Sequence, residues 1–209
     1  RNPSFLTLDN INDLITNTAI LSILAVGMML VIITRGIDLS IGATLALSGM
    51  ISAMTVSEYP GLHPLVALLL GVGIGILCGM VIGLLVSKMG LLPIIATLGM
   101  MNVYRGLTFL ISNGRWVSAH QMPASFKELG TGTILGVNNL IWIALVVYLA
   151  AYYFIAHTRT GRQIYAVGSN PEAARISGIQ ADRILWLVYT IMGGLAGGAG
   201  VLWVAKFAS

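Results

Sequence analysis

The sequence predicts an all-α fold, a polytopic bundle of transmembrane helices, on three observations. Of its 209 residues 57% are hydrophobic and only 9% are charged. A soluble domain carries about 25% charged residues and needs them to cover its surface. The mean hydropathy of +0.91 is correspondingly high. The apolar residues also fall into six long runs separated by short polar segments, the pattern of helices that cross a bilayer.

Residues 1 to 16 mix Phe5, Leu6, Leu8, Ile11, Leu14 and Ile15 with Asp9, Asn10, Asn12 and Asp13, an amphipathic entry lying in the membrane interface. No apolar core follows Arg1 directly, so this is not a signal peptide. The first span is expected over Thr18 to Thr34 and ends at Arg35-Gly36-Ile37-Asp38. The second, Leu39 to Val56, follows at once, so the two are joined by a sharp turn with charges at its tip. Glu58 to Pro64 is a short turn with two prolines, and Leu65 to Val86 is a third span without charge, stopped by Lys88. Pro93 to Ser112 is the fourth and the most polar, holding Thr97, Asn102, Tyr104, Arg105 and Thr108. A polar loop, Asn113 to Asn139, leads to the fifth span, Leu140 to Ala156, whose Trp142, Tyr148, Tyr152 and Tyr153 suit membrane interfaces. The sixth is Ile184 to Val204. The whole is read as one transmembrane domain, residues 1–209. Arg1 is no initiator and the chain stops at Phe207-Ala208-Ser209 without a tail, so both ends read as truncations.

Between the fifth and sixth spans lies the longest polar segment, His157 to Arg183. It contains a complete short-helix signal. Asn170 is a good N-cap, because its side-chain oxygen accepts a first-turn N–H. Pro171 falls at the first helical position, where its missing N–H is harmless. Glu172 faces the positive helix end and Arg175 the negative one. Gly178 takes the left-handed conformation that closes the helix. A helix of about two turns is marginal alone in water and needs a surface to lie against.

Charge bias orients the chain. The net charge of +4 comes from 11 Lys and Arg against 7 Asp and Glu, and in a membrane protein such an excess marks cytoplasmic loops before it marks nucleic-acid binding. The central loop has Arg159, Arg162, Arg175 and Arg183 against Glu172 and Asp182, and is placed in the cytoplasm. Arg35 and Lys88 then fall on the same side, and the Glu58–Pro64 and Asn113–Asn139 segments fall outside with Arg115 and Lys127. The first span then runs inward, so another span is expected before Arg1.

Gly71, Gly75, Gly79 and Gly83 recur every four residues, and Gly193/Gly197 and Gly194/Gly198 repeat the spacing. In lipid this is a helix-packing stripe. It is not a dinucleotide fingerprint, because no strand precedes it. His63, His120 and His157 lie in three different loops without ligand spacing, so no metal site is expected. Met28, Met29, Met100 and Met101 read as lipid-facing or gap-filling. Cys78, the single cysteine, forms no internal disulfide.

Several stretches together resemble one family, the permease subunits of bacterial ABC importers for ribose, xylose, rhamnose and autoinducer-2. They are TRGIDLSIG at 34–42, LPIIATLGMM at 92–101, YRGLT at 104–108 and TRTGRQIYAVGSNPEAARISGI at 158–179. The outer-loop wording NGRWVS at 113–118 looks nearest to the rhamnose and autoinducer-2 branches. The resemblance implies a subunit of about ten helices, similar to the vitamin-importer type, of which this chain lacks the first and the last three. It implies a second permease subunit, identical or not, a separate ABC ATPase subunit and a periplasmic or lipid-anchored sugar-binding protein. It places the chain as a multi-pass protein of the bacterial cytoplasmic membrane.

On this resemblance, Asn170, Pro171, Glu172, Ala173, Ala174, Arg175 and Gly178 form the coupling helix that seats in the ATPase. Small Ala173 and Ala174 allow close approach, and Glu172 and Arg175 give polar register. The competing reading is a surface helix lying among lipid headgroups. Ile37, Asp38 and Leu39 either form part of an inner gate, or Asp38 merely caps the second helix or pairs with Arg35. Thr97, Asn102 and Thr108 either line a path for a hydroxylated solute or bond between helices. The chain itself needs no cofactor, since ATP is bound by the partner. It has no G-x-x-x-x-G-K-[ST] loop and is not expected to be an enzyme. An intramembrane hydrolase would call for H-E-x-x-H or a nucleophile elbow, and neither occurs. An ion-coupled secondary transporter is the alternative function, and it would call for carboxylates near mid-membrane. No ring of acids or bases suggests an ion, which fits an uncharged, sugar-like solute.

Overall fold

The structure, a computed structural model, describes residues 7–207. Six of its helices are long and apolar enough to span a membrane. These are α1 (Leu8–Ile33), α2 (Ile41–Glu58), α3 (Pro64–Ser87), α4 (Pro93–Ser112), α6 (Asn139–His157) and α9 (Ala181–Phe207). Three shorter helices, α5 (Ala124–Thr131), α7 (Arg159–Ser169) and α8 (Pro171–Ile176), lie in the polar connections. The architecture is an all-α polytopic bundle, as the composition requires.

Local signals explain most helix starts. Pro64 and Pro93 occupy the first turns of α3 and α4, where a missing N–H costs nothing. His63 Nδ1 accepts from Leu65 N at 3.2 Å, and Asn138 Oδ1 accepts from Leu140 N at 2.8 Å.

α9 is the axis of the bundle. Its most apolar stretch is 67% buried, against 11% for that of α6, which stands at the periphery. The glycine stripe explains how α3 lies so close to it. A Cβ on Gly75 would sit 2.7 Å from Gly197 Cα, and one on Gly79 would sit 3.0 Å from Thr190 Cα. Gly83 continues the seam against Trp186, whose carbonyl oxygen would be 2.9 Å from its Cβ. Backbones therefore meet directly, gaining dispersion contacts in a medium that supplies no hydrophobic drive. Gly194 and Gly198 do not join this seam, because they face the side chains of Ile76 and Val72. α2 closes on the other side of α9, where Ser48 Oγ donates to Gly197 O at 3.0 Å.

Three segments differ from the sequence reading. The first span and its amphipathic entry are one helix, α1, beginning at Leu8 and capped by Thr7, whose hydroxyl accepts from Asn10 N. Continuing helical hydrogen bonds satisfy the backbone more fully than a break at the interface would. The entry's first six residues lie outside the described residues. The outer loop is structured: α5 plugs onto the end of α9 through fully buried Phe126 and through Gly130, whose Cβ would lie 2.6 Å from Lys206 Cα. A two-residue hairpin follows, with Thr133 opposite Asn138 and positive φ at Leu135 and Gly136. The third segment, the central polar stretch, holds two helices rather than one.

The bundle has two distinct ends. Val56, Leu62, Val117, Met122, Phe126 and Ala205 cluster at one. At the other, the turn after α1, the turn after α3 and the α7–α8 segment come together, carrying Arg35, Lys88, Arg159, Arg162, Arg175 and Arg183. The first end holds Arg115, Lys127 and Lys206, with Lys206 Nζ donating to Asn17 Oδ1 at 2.7 Å and to Thr16 O at 3.2 Å. The excess of cations at the α7–α8 end agrees with a cytoplasmic assignment.

Candidate docking site at the cationic end of the bundle

The site begins where α6 ends. Thr158 is extended, and its hydroxyl accepts from Gly161 N at 3.0 Å, which starts α7. A Cβ on Gly161 would lie 2.6 Å from Phe154 O, so the bend between α6 and α7 leaves room for hydrogen only. α7 is amphipathic. Ile164 and Val167 are buried on the bundle end, while Arg159, Arg162 and Tyr165 face outward. The spacing of Gly161, Ile164, Val167 and Gly168 is the one-face helical period, a signal that could have revealed α7 but that the sequence reading passed over.

α8 follows after a single residue. Asn170 Oδ1 accepts from Glu172 N and Ala173 N, both at 3.1 Å. Gly178 has φ +80°, and Ile179 N reaches back to Ala174 O at 2.9 Å. That is the left-handed closure expected of a C-terminal glycine. Ala174 is buried at 4% exposure, whereas Pro171, Glu172, Ala173, Arg175 and Gly178 are exposed. Ile176 is 90% exposed, an apolar side chain held out at the tip. The seven residues expected here are thus brought together, and Ile176 joins them. Arg175 pairs with Asp182 at the start of α9 at 3.1 Å, with both side chains largely open to solvent. A surface pair of this kind is worth at most about 1 kcal/mol. Lys88, Arg175 and Arg183 line one cleft beside it.

The α1–α2 turn packs under this unit. α1 closes with Arg35 in the left-handed region, φ 61°, and Gly36 N bonds Val31 O at 2.9 Å. The Arg35 guanidinium donates to the carbonyl oxygen of Ser169, the last residue of α7. It does not pair with Asp38. Asp38 is buried at 4% exposure, and its Oδ1 accepts from Ser40 N at 2.8 Å and Ser40 Oγ at 2.6 Å. Because α2 begins at Ile41 rather than Leu39, this is an Asx turn ahead of the helix instead of a first-turn cap. Burial pushes the Asp38 carboxyl above its ordinary value, opposed by the Ser40 hydroxyl and amide. Ile37 and Leu39, on either side of it, are each 42% exposed.

The expected path residues do not converge. Thr97 is fully buried, and its hydroxyl donates to Pro93 O at 2.8 Å with Ile37 O at 3.4 Å. Thr108 donates to Tyr104 O at 2.8 Å on the same covered face. Asn102 lies roughly 140° around the helix from Thr97 at 3.6 residues per turn, on the exposed face, and Asn102 Nδ2 bonds Leu98 O at 3.1 Å. Beside it Gly99 and Gly106 meet no atom within 4 Å of a built Cβ.

Sequence reasoning weighed Arg35 only as a partner of Asp38 and did not single out Gly168 or Ile176. Arg35 and Ser169 are 134 positions apart, and no local pattern joins them.

The ribose import permease protein RbsC of Escherichia coli (strain K12) is 41% identical over 209 residues, covering 99% of this chain and 64% of the relative. The RbsC of Bacillus subtilis (strain 168) is 38% identical, covering 100% and 64%. The autoinducer 2 import system permease protein LsrC of Enterobacter sp. (strain 638) is 36% identical over 205 residues, covering 98% and 59%. The chain therefore spans somewhat less than two thirds of these curated relatives. No solved structure matches it. The family described as branched-chain amino acid transport system / permease component matches residues 10–209, nearly the whole chain. With its six membrane-spanning helices, the chain is a multi-pass membrane protein belonging to that permease family.

Proposed function

We propose that this chain is the membrane subunit of an ATP-driven importer of the bacterial cytoplasmic membrane, moving a small sugar or sugar-like solute inward. The observation that carries the reading is α8: a short, doubly capped helix at the cationic end, with Ala173, Arg175 and Ile176 exposed. Exposed Ala173 allows close approach while Ala174 is turned to the bundle, Ile176 offers an apolar anchor, and Glu172 fixes register. A separate ABC ATPase subunit binds and hydrolyses ATP and grips this helix, and closure of the ATPase moves the bundle between inward and outward states. A second permease subunit pairs with this one, and a sugar-binding protein delivers solute at the α5 end. Similarity to import permeases for ribose and autoinducer 2 supports a hydroxylated solute. In each subunit about ten helices complete the fold. Asn102, on the open face of α4, faces the path, while Thr97 and Thr108 hold α4 in place.

Reconstitution into proteoliposomes with the candidate ATPase and binding protein tests the reading. ATP-dependent uptake of a pentose or related solute is expected. Uptake driven by an ion gradient without any ATPase contradicts it.

A further inference from the structure

The ends of α1 and α7 meet at one point. A Cβ on Gly168 would strike the carbonyl oxygen of Ile33, so the two backbones are in contact there. Both are helix C-termini, which carry partial negative charge on their unsatisfied carbonyls. Two like poles held together call for a cation between them. Arg35 supplies it: it emerges from the end of α1 and donates to Ser169 O at the end of α7. Ser169 is followed directly by Asn170, the cap of α8. On its other side Arg35 leads straight into the Asp38 turn, whose neighbours are fixed. Gly36 lies against the Tyr189 hydroxyl of α9, and Ile37 O faces the Thr97 hydroxyl of α4.

We propose that Arg35 is a positioning residue that latches the Ile37–Leu39 turn to the stem of α8, so that displacement of α8 moves this turn directly. The inference rests on the docking role of α8 given above. The other routes from α8 into the bundle run through the single buried side chain of Ala174 and through the solvent-exposed Arg175–Asp182 pair to α9. An exposed pair holds weakly. The Arg35 bond to Ser169 O is exposed as well, so what sets this route apart is the backbone packing beneath it, where glycine at 168 leaves no space between the chains.

The test uses the reconstituted importer with its ATPase and binding protein. Arg35→Gln removes the cation and keeps a donor of similar length. Arg35→Lys keeps the charge without the planar fork. Solute moved per ATP hydrolysed is expected to fall about tenfold in Arg35→Gln, the scale of one charged hydrogen bond, and to recover in part in Arg35→Lys. The ATPase should still co-purify with both variants. Spin labels at Ile37→Cys and Ile176→Cys, with Cys78→Ala, report the motion itself. Their separation should stay constant through the nucleotide cycle with Arg35 and vary with Gln at that position. Unchanged transport per ATP in Arg35→Gln, with ATPase bound, overturns the latch and leaves the docking role standing. Failure of the ATPase to bind the protein carrying Arg35 overturns both.

Discussion

Gly75 on α3 lies directly against Gly193 on α9: a Cβ added to either would strike the carbonyl oxygen of the other. This reciprocal contact fixes the depth at which the bundle's central pair interlocks.

Gly75→Val should therefore destabilise the protein by about 1–3 kcal/mol or more, since backbone atoms cannot retreat as side-chain tips can. Gly73→Ala makes the contrast. Gly73 meets nothing within 4 Å, and alanine there should stabilise α3 by roughly 0.5–1 kcal/mol. Thermal melting in detergent should move down for the first and not for the second. Equal behaviour of the two would show that the seam is loose.

Burial of Asp38 sets the sign of its own contribution to the pH dependence of stability. Its folded carboxyl is raised above the ordinary 3.8, by burial first. Its stabilising contribution is thus fully present below the unfolded value and is lost as pH rises through the folded one. Asp38→Asn keeps an acceptor for Ser40 and removes the titration. Melting temperatures from pH 3.5 to pH 7 should fall less steeply in Asp38→Asn than in the unaltered protein, a comparison made at about half-unit intervals. Parallel curves would place the Asp38 carboxylate in contact with water.

Asn170→Ala leaves two first-turn N–H groups without their acceptor, at a cost of about 1 kcal/mol to α8. A helix of six residues has no reserve to absorb that loss. Stimulation of the partner's ATPase should drop several-fold while the bundle's melting temperature barely moves, because α8 contributes one buried side chain, Ala174, to the core. A large drop in melting temperature would mean that α8 serves the bundle instead.

Asn102→Val and Thr97→Val separate path from packing. Asn102→Val should change solute affinity or rate with little change in stability. Thr97→Val should destabilise by about 1 kcal/mol through the lost bond to Pro93 O. The reverse pattern would exchange their roles.

The sequence made the spans legible because water-excluded helices need long apolar runs, and their polar breaks stand out at Arg35, Lys88 and His157. α8 was legible for a local reason: Asn170, Pro171 and Gly178 each act within one helical turn. α7 was hidden by composition. Its outward Arg159, Arg162 and Tyr165 mask an apolar face made largely of two glycines, Ile164 and Val167. Helicity in α5 was hidden in the same way, since it depends on Phe126 reaching the end of α9, 75 to 80 positions on. The meeting of Arg35 with Ser169 is a product of tertiary packing that no spacing encodes. The angle between Asn102 and Thr97 follows from helical spacing, but which of the two the bundle covers does not.

The most direct test of the account is the exposure of α8. With Cys78→Ala as background, Ile176→Cys should be labelled by a membrane-impermeant maleimide only from the cytoplasmic side, and the ATPase should protect it when bound. Labelling from the periplasm, or labelling indifferent to the ATPase, would contradict it.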